Sequence, residues 1–270
     1  MIVGYGQIGQ SIHRLYEGKS KLNYTIITKD ASDIIEVDGI RYCGQSAADI
    51  LKAYPIDIMH ICYNWSDTFE EATIKYVSKY EPELVLIHST VPIGVTQVVY
   101  DSVGGISEVV HSPVMGKHPN LTESIRTFRK IIGPCSYDAG IMAAEHLSEL
   151  GIACELYDSP RESELAKLFS TTYYGWNLLF MKEVWKECKM LYVNFDQIYT
   201  QTNKIYNEGY TKFGDTHFVR PVLTYMGEGI GGHCVWENAA ILKNDDILPE
   251  QAGAIIAEGK PLKRIHYDSL

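Results

Sequence analysis

The sequence predicts an α/β protein. A Rossmann-type parallel-sheet domain is expected over residues 1–159, followed by an all-α domain over 160–270 built on a long central helix. Three observations carry that expectation. In the first half, short apolar runs alternate with amphipathic stretches, the pattern of a parallel sheet covered by helices. A glycine loop, Gly4-Tyr5-Gly6-Gln7-Ile8-Gly9, follows the first apolar pair at once. From Ser163 to about Tyr192 the pattern turns helical and almost continuous, with no proline.

The elements follow in order. Ile2-Val3 opens the first strand. It is short beside the usual five residues or so, which leaves two readings, a trimmed start and a minimal strand. Gln7 to Tyr16 has a helical period, and Tyr24 to Thr28 (YTIIT) reads as the second strand. Ala47 to Ala53 reads as a short helix after a polar loop, and Ile56 to Cys62 (IDIMHIC) as a strand. A helix is expected from Asp67 to Tyr80, capped near Ser66-Asp67. Leu84 to His88 (LVLIH) is a strand ended by Ser89-Thr90-Val91-Pro92; Glu108 to His111 and Lys130 to Ile132 read as further strands. The texture changes near Pro160. Leu165, Leu168, Phe169, Tyr173, Trp176, Leu179, Phe180 and Val184 mark a helix of some 30 residues, about 45 Å long at 1.5 Å per residue. A helix so long and apolar on more than one face is expected to be buried, in a bundle or between subunits, which points to a homodimer. Asp196 to Tyr210 reads as helix, Lys212 to Gly232 as a loop rich in glycine and aromatics, and the end after Asn238 as one or two short helices.

Bulk properties narrow the function. At 270 residues, 46% hydrophobic and 21% charged, the chain reads as a soluble globule. A formal charge of −10 argues against nucleic acid as a partner, because phosphate binding wants a basic footprint. No apolar run approaches the ~20 residues of a membrane span and no signal peptide is visible. The six cysteines are scattered with no C-x-x-C pair, as free thiols of a reducing cytoplasm would be, and no metal site is expected.

Four constellations can carry chemistry. Gly4, Gly6 and Gly9 allow a tight turn, close approach of the backbone to a pyrophosphate, and close packing of helix on strand. The helix amino end at Tyr5, Gln7 and Ile8 adds N–H groups and partial positive charge. Asp30, 21 residues after Gly9, suits the ribose hydroxyls and favours NAD; Lys29 beside it keeps NADP open, and a solvated Lys-Asp turn is the alternative. Ser89 and Thr90 follow a strand at its carboxyl end, where ligands of such sheets sit. With Tyr63, which follows the IDIMHIC strand, they join the candidate cofactor residues. Lys167 and Thr171 stand i and i+4 on the long helix and share a face. A buried lysine there can hold an oxyanion or act as an acid; a surface lysine is the alternative. Cys234 ends Gly229-Ile230-Gly231-Gly232-His233-Cys234 and is a candidate nucleophile if a cation or helix N-terminus activates it. As an isolated cysteine it would be a small hydrophobe.

Taken in order, the glycine loop, STVPIGVT (residues 89–96), SPVMGK (112–117), ELAKLF (164–169) and GIGGHC (229–234) resemble the UDP-glucose/GDP-mannose dehydrogenase family of nucleotide-sugar dehydrogenases, within the 6-phosphogluconate dehydrogenase-like superfamily. The resemblance covers residues 1 to about 242, with GIGGHC the most specific piece. It implies that NAD takes two hydrides in succession from a sugar C6 hydroxyl. It also implies a cysteine that holds the aldehyde as a thiohemiacetal, then a thioester released by water, and a helix lysine that stabilises the oxyanion. Cys234 and Lys167 match those residues, with Thr90 near the nicotinamide. A dimer through the long helix is implied too.

The departures are specific. Thr171 stands where the family has asparagine, and Asn238 where it has an acidic residue. Ser112 to His118 lacks both glutamates of the family's corresponding stretch; His118 is a candidate replacement base. The family's C-terminal nucleotide-gripping domain is not expected within the residues that follow Cys234. Three functions therefore stand open. One is an NAD-dependent oxidation of an alcohol on a sugar or nucleotide sugar through Cys234. The second is a single-step, two-electron dehydrogenase of a hydroxy acid or similar small molecule. The third is a non-catalytic dinucleotide-binding protein.

Overall fold

The structure, a computed structural model, describes residues 1–17, 25–28, 35–37, 40–44, 55–116, 120–227, 229–230 and 232–259. The chain divides into two compact units, Met1–Lys167 and Leu168–Leu270. In the first unit β1 (Ile2–Val3) leads into α1 (Gln7–Tyr16), then β2 (Thr25–Ile27), β3 (Ile35–Val37) and β4 (Ile40–Cys43). β5 (Ile58–Ile61), α2 (Phe69–Tyr80), β6 (Leu84–Ile87), α3 (Val95–Val103) and β7 (Glu108–His111) follow. The unit continues with α4 (Leu121–Thr127), β8 (Lys130–Pro134), α5 (Tyr137–Glu149) and β9 (Cys154–Leu156).

Among the described residues the strands line up as β3-β4-β2-β1-β5-β6-β7-β8-β9. β3 pairs with β4 and β7 with β8 antiparallel; the other pairings are parallel. The expected Rossmann-type sheet is therefore present. Alternation along its strands feeds two cores. Val3, Ile61, Val85, Ile87 and Val109 face one side, packed with Phe69 and Val77 of α2 and Val99 of α3. Ile2, Leu84, Leu86 and Val110 face the other, with Ile12 of α1, Ile125 of α4 and Leu147 of α5. With both faces covered, the strands read as apolar runs. Strand order reverses direction at β1, between β2 and β5, the switch point at which such sheets bind ligands.

Several elements differ from expectation. The β3–β4 hairpin, α3, α4, α5 and β9 were not foreseen from the pattern. The cap of α2 lies at Thr68 and makes no side-chain hydrogen bond, so Ser66-Asp67 precede the helix. The expected helix Ala47–Ala53 lies outside the described residues.

The second unit is helical. α6 (Pro160–Met190) enters it from the first, the division falling inside the helix, and starts on a proline, whose missing N–H costs nothing there. A π-helical stretch, Asp196–Gln201, runs into α7 (Thr202–Phe213), then a 3-10 turn, Thr216–Phe218. α8 (His233–Asn244) and α9 (Pro249–Glu258) close the described part. Gly175 in mid-α6 lets the three helices meet: a Cβ there would lie 2.7 Å from Val235 and 3.1 Å from Ile255. The long helix is not buried within one chain. Phe169, Tyr173, Trp176 and Phe180, spaced i, i+4, i+7, i+11, are exposed. No helix among the described residues is long and apolar enough to cross a membrane.

Candidate functional site

The glycine loop sits at the switch point. Gly4 has φ +91°, and a Cβ there would meet the Tyr63 backbone nitrogen at 2.8 Å. A Cβ on Gly9 would lie 2.0 Å from the Gly4 carbonyl oxygen, so only glycine lets α1 pack this tightly on its own loop. At Gly6 a Cβ would meet nothing within 4 Å. Gly6 is also the N-cap of α1, and no side chain caps the helix. Space, an uncapped helix amino end at Gln7 and Ile8, and a bare backbone coincide, which fits a pyrophosphate. Tyr5 donates or accepts a hydrogen bond with His13 Nδ1 at 2.7 Å, which turns its ring along α1.

Tyr63 faces this loop through its backbone. Its hydroxyl is engaged with Thr73 Oγ1 at 2.5 Å, and burial raises its pKa. Ser89 Oγ donates to the Tyr63 carbonyl at 2.5 Å, tying the ends of β5 and β6 together. Thr90, next in the chain, is half-buried. Asp30 and His118 lie outside the described residues.

The segment after β6 is held from α6. Glu164 accepts the Gly94 N–H at 2.6 Å and the Thr96 N–H at 2.9 Å, so its carboxylate caps the amino end of α3. Burial pushes its pKa up against the pull of those hydrogen bonds. His111 Nε2 donates to the Ser89 carbonyl at 3.1 Å, while its Nδ1 meets Ser163 Oγ at 2.7 Å. Burial takes the His111 pKa down to about 3, so the ring is neutral. Lys167, one turn beyond Glu164 and half-buried, donates to the Val114 carbonyl at 2.8 Å. Neither Glu164 nor His111 was singled out from sequence. The only available signal was Glu164 three residues before Lys167, on the same helix face.

In the second unit, Asn238 Nδ2 donates to Thr171 Oγ1 at 2.8 Å, and Thr171 donates to the Leu168 carbonyl at 3.0 Å. Thr171 and Asn238, two of the positions that depart from the family pattern, are thus hydrogen-bonded to each other. Cys234 is exposed and lies in the first turn of α8, behind a Gly232 cap with φ +97°, rather than at the end of a loop. Lys182, buried on α6, donates to the Gly227 carbonyl and lies 5.3 Å from the Tyr225 ring centroid, holding the loop that leads to Cys234. Tyr225 stacks on Trp185 at 4.2 Å. Both line a cavity of about 580 Å³ with Asp196, Thr200 and Lys204, within the size range of small-molecule sites. Among the described residues no His, Cys, Asp and Glu group could hold a metal ion.

Several known proteins that this chain resembles are nucleotide-sugar dehydrogenases. A curated UDP-N-acetyl-D-mannosamine dehydrogenase of Methanococcus vannielii is 28% identical over 156 residues, 57% of this chain and 33% of the relative. Over that stretch the chain is similar to a nucleotide-sugar dehydrogenase. A UDP-D-ManNAc dehydrogenase structure from Pyrococcus horikoshii superposes with a TM-score of 0.68 at 19% identity, over 91% of this chain and 64% of that one. A UDP-glucose dehydrogenase structure from Pyrobaculum islandicum gives 0.68 at 18%, over 95% and 66%. No protein-family profile matches the sequence. The chain thus spans about a third of the curated relative and about two thirds of the solved structures.

Proposed function

We propose that this chain is an NAD-dependent dehydrogenase that oxidises an alcohol of a sugar or nucleotide sugar. The first unit would hold the cofactor, through Gly4, Tyr5, Gly6, Gln7, Ile8 and Gly9 at the pyrophosphate and Tyr63, Ser89 and Thr90 at the strand ends, with Asp30 at the ribose. The second would hold the substrate and the dimer contact. Bound NAD supplies the hydride acceptor. Lys167 would stabilise the substrate oxygen as its proton passes to solvent water, because an ammonium there favours the negative form. Cys234 then adds to the aldehyde carbon. A C–S bond forms, the carbonyl π-bond opens to oxygen, and the thiol proton ends on that oxygen as a thiohemiacetal. The observation that carries the reading is the pair of hydrogen bonds that the Gly94 and Thr96 N–H groups donate to Glu164, which ties the segment after Thr90 to the helix that bears Lys167.

A second reading, a single two-electron oxidation, is favoured by one observation. Thr171 and Asn238 satisfy each other, and neither titrates where water activation would need a base; His118 is the proposed substitute. Counting NADH formed per substrate consumed across a panel of nucleotide sugars and hydroxy acids separates the two. A ratio of two supports completion to the acid through Cys234, and a ratio of one supports the single step. NAD binding without turnover would support the non-catalytic alternative.

The proposal includes a homodimer through the aromatic stripe Phe169, Tyr173, Trp176 and Phe180, since an exposed apolar stripe of this kind marks a contact surface. The six free cysteines fit a cytoplasmic location. Sedimentation showing only monomer at micromolar concentration would count against the dimer.

A further inference from the structure

The first unit contains a buried polar chain that the proposed reaction does not use. His88, just past β6, faces the Ser112 carbonyl through Nδ1 at 2.8 Å. A carbonyl only accepts, so Nδ1 carries the proton. Burial holds the His88 pKa well below the ordinary histidine range, so the ring is neutral and its Nε2 is bare. Nε2 must then accept from His60 Nδ1, 2.9 Å away. His60 is also held neutral by burial, so its Nε2 accepts from the Tyr16 hydroxyl at 2.5 Å. The Tyr16 oxygen is left to accept from His146 Nε2 at 2.9 Å. Every proton in the chain points toward Ser112. A carbonyl cannot pass a proton on, so the chain is no conduit; it fixes the Ser112 carbonyl in place.

Lys130 completes the arrangement. It is 4% exposed on β8, next to the buried Ile131 and Ile132. Its Nζ donates to the Ser112 carbonyl at 2.7 Å and to the Pro113 carbonyl at 3.0 Å. Among the described residues no carboxylate forms an ion pair with it. An apolar side chain of this length would fill the position without the cost of desolvating an amine. Lys167 takes the next carbonyl, Val114. Three consecutive carbonyls are therefore gripped by one imidazole and two lysines, and the last grip is the proposed catalytic lysine.

We propose that Lys130 is a positioning residue: with the His88 chain it sets the Ser112–Val114 carbonyls and, through them, the place of the Lys167 ammonium. This rests on the dehydrogenase reading for its kinetic consequence but not for its geometry. The groups that face Lys130 are His88, His60 and His111, the Cys62 and Cys154 thiols, and Lys167. Burial, the largest influence, takes the Lys130 pKa down to about 7. Protonated Lys130 donates most strongly, so its grip weakens as pH rises through that value.

The test compares wild type with Lys130→Met, and with Lys130→Gln, which keeps N–H donors without charge and serves if the first variant does not fold. The non-kinetic readout is the pH profile of Lys167 labelling by an amine-reactive reagent, followed by peptide mass spectrometry. Loss of the grip on the Ser112 and Pro113 carbonyls should loosen the Val114 carbonyl that holds the Lys167 amine and raise the Lys167 labelling rate across that profile. In turnover, kcat should fall about ten- to a hundredfold, as small misplacements do, at unchanged KM for NAD. The limb of the wild-type kcat profile near pH 7 should vanish. A folded variant with an unchanged Lys167 profile and unchanged kcat overturns the proposal. If wild type shows no turnover on any alcohol, the dehydrogenase reading fails, and the labelling profile still decides the role of Lys130.

Discussion

The strand-end segments of the first unit and the thiol segment of the second are built differently. Around Lys167, buried groups are tied in pairs: Glu164 to Gly94 and Thr96, His111 to Ser89 and Ser163, Ser89 to Tyr63, Lys167 to Val114. Around Cys234 the thiol is exposed, and Thr171 and Asn238 form a neutral pair. Buried polar groups that are fully partnered fix a geometry, because each lost partner leaves a desolvated atom behind. The first region is thus held in one geometry, as the proposed hydride and oxyanion chemistry requires. The second pairs Thr171 with Asn238, neither of them charged, so under the proposed function the contrast would place a limit at the second oxidation.

The largest effect that would break this contrast is in the glycine loop. Gly9→Ala must push the Gly4 carbonyl away from a 2.0 Å overlap, so a loss of about 3 kcal/mol and of NAD affinity is expected, read by thermal unfolding and calorimetry. Next, Lys167→Met should lower kcat by about a hundredfold or more while leaving NAD affinity within about twofold, by stopped-flow and equilibrium titration. Glu164→Gln leaves one of two buried N–H groups poorly paired and should cost about 1–3 kcal/mol. Its pH dependence has a definite sign. Burial raises the Glu164 pKa in the folded state, so the folded protein binds this proton more tightly than the unfolded. Glu164's contribution to stability therefore falls as pH rises from the ordinary carboxylate range through the raised folded value, and that slope should disappear in the variant. The double variant Thr171→Asn with Asn238→Asp restores the acidic pairing; it should move the yield of NADH per substrate toward two. Smallest is Phe180→Glu: at an exposed position it should change single-chain stability by about 0.5 kcal/mol or less, yet shift sedimentation toward monomer.

Much of the sheet was legible because its strands are uninterrupted apolar runs: YTIIT, IDIMHIC and LVLIH each contain a strand. The glycine loop and α6 were legible for similar local reasons, turn chemistry and a sustained period. α3 is hidden because four of the five residues Val95-Thr96-Gln97-Val98-Val99 are β-branched and poor helix formers; Gly94 at φ +96° and the Glu164 carboxylate start the helix. α5 carries a local signal, Ser136 accepting from Ala139 N–H, but Gly140 within the helix masks it in sequence. The glycines in front of Cys234 read as loop in sequence, yet Gly232 is a helix cap. The ties to Glu164, His111 and Lys130 join residues far apart in sequence and have no period, so no local pattern announces them.

The most direct measurement is NADH formation by the full chain on a panel of nucleotide sugars, simple sugars and hydroxy acids, with Lys167→Met alongside and NAD binding followed by thermal shift. The account predicts NADH from at least one sugar or nucleotide-sugar alcohol, lost in the variant while NAD still stabilises both proteins. NAD stabilisation with no NADH from any alcohol in the panel would contradict it.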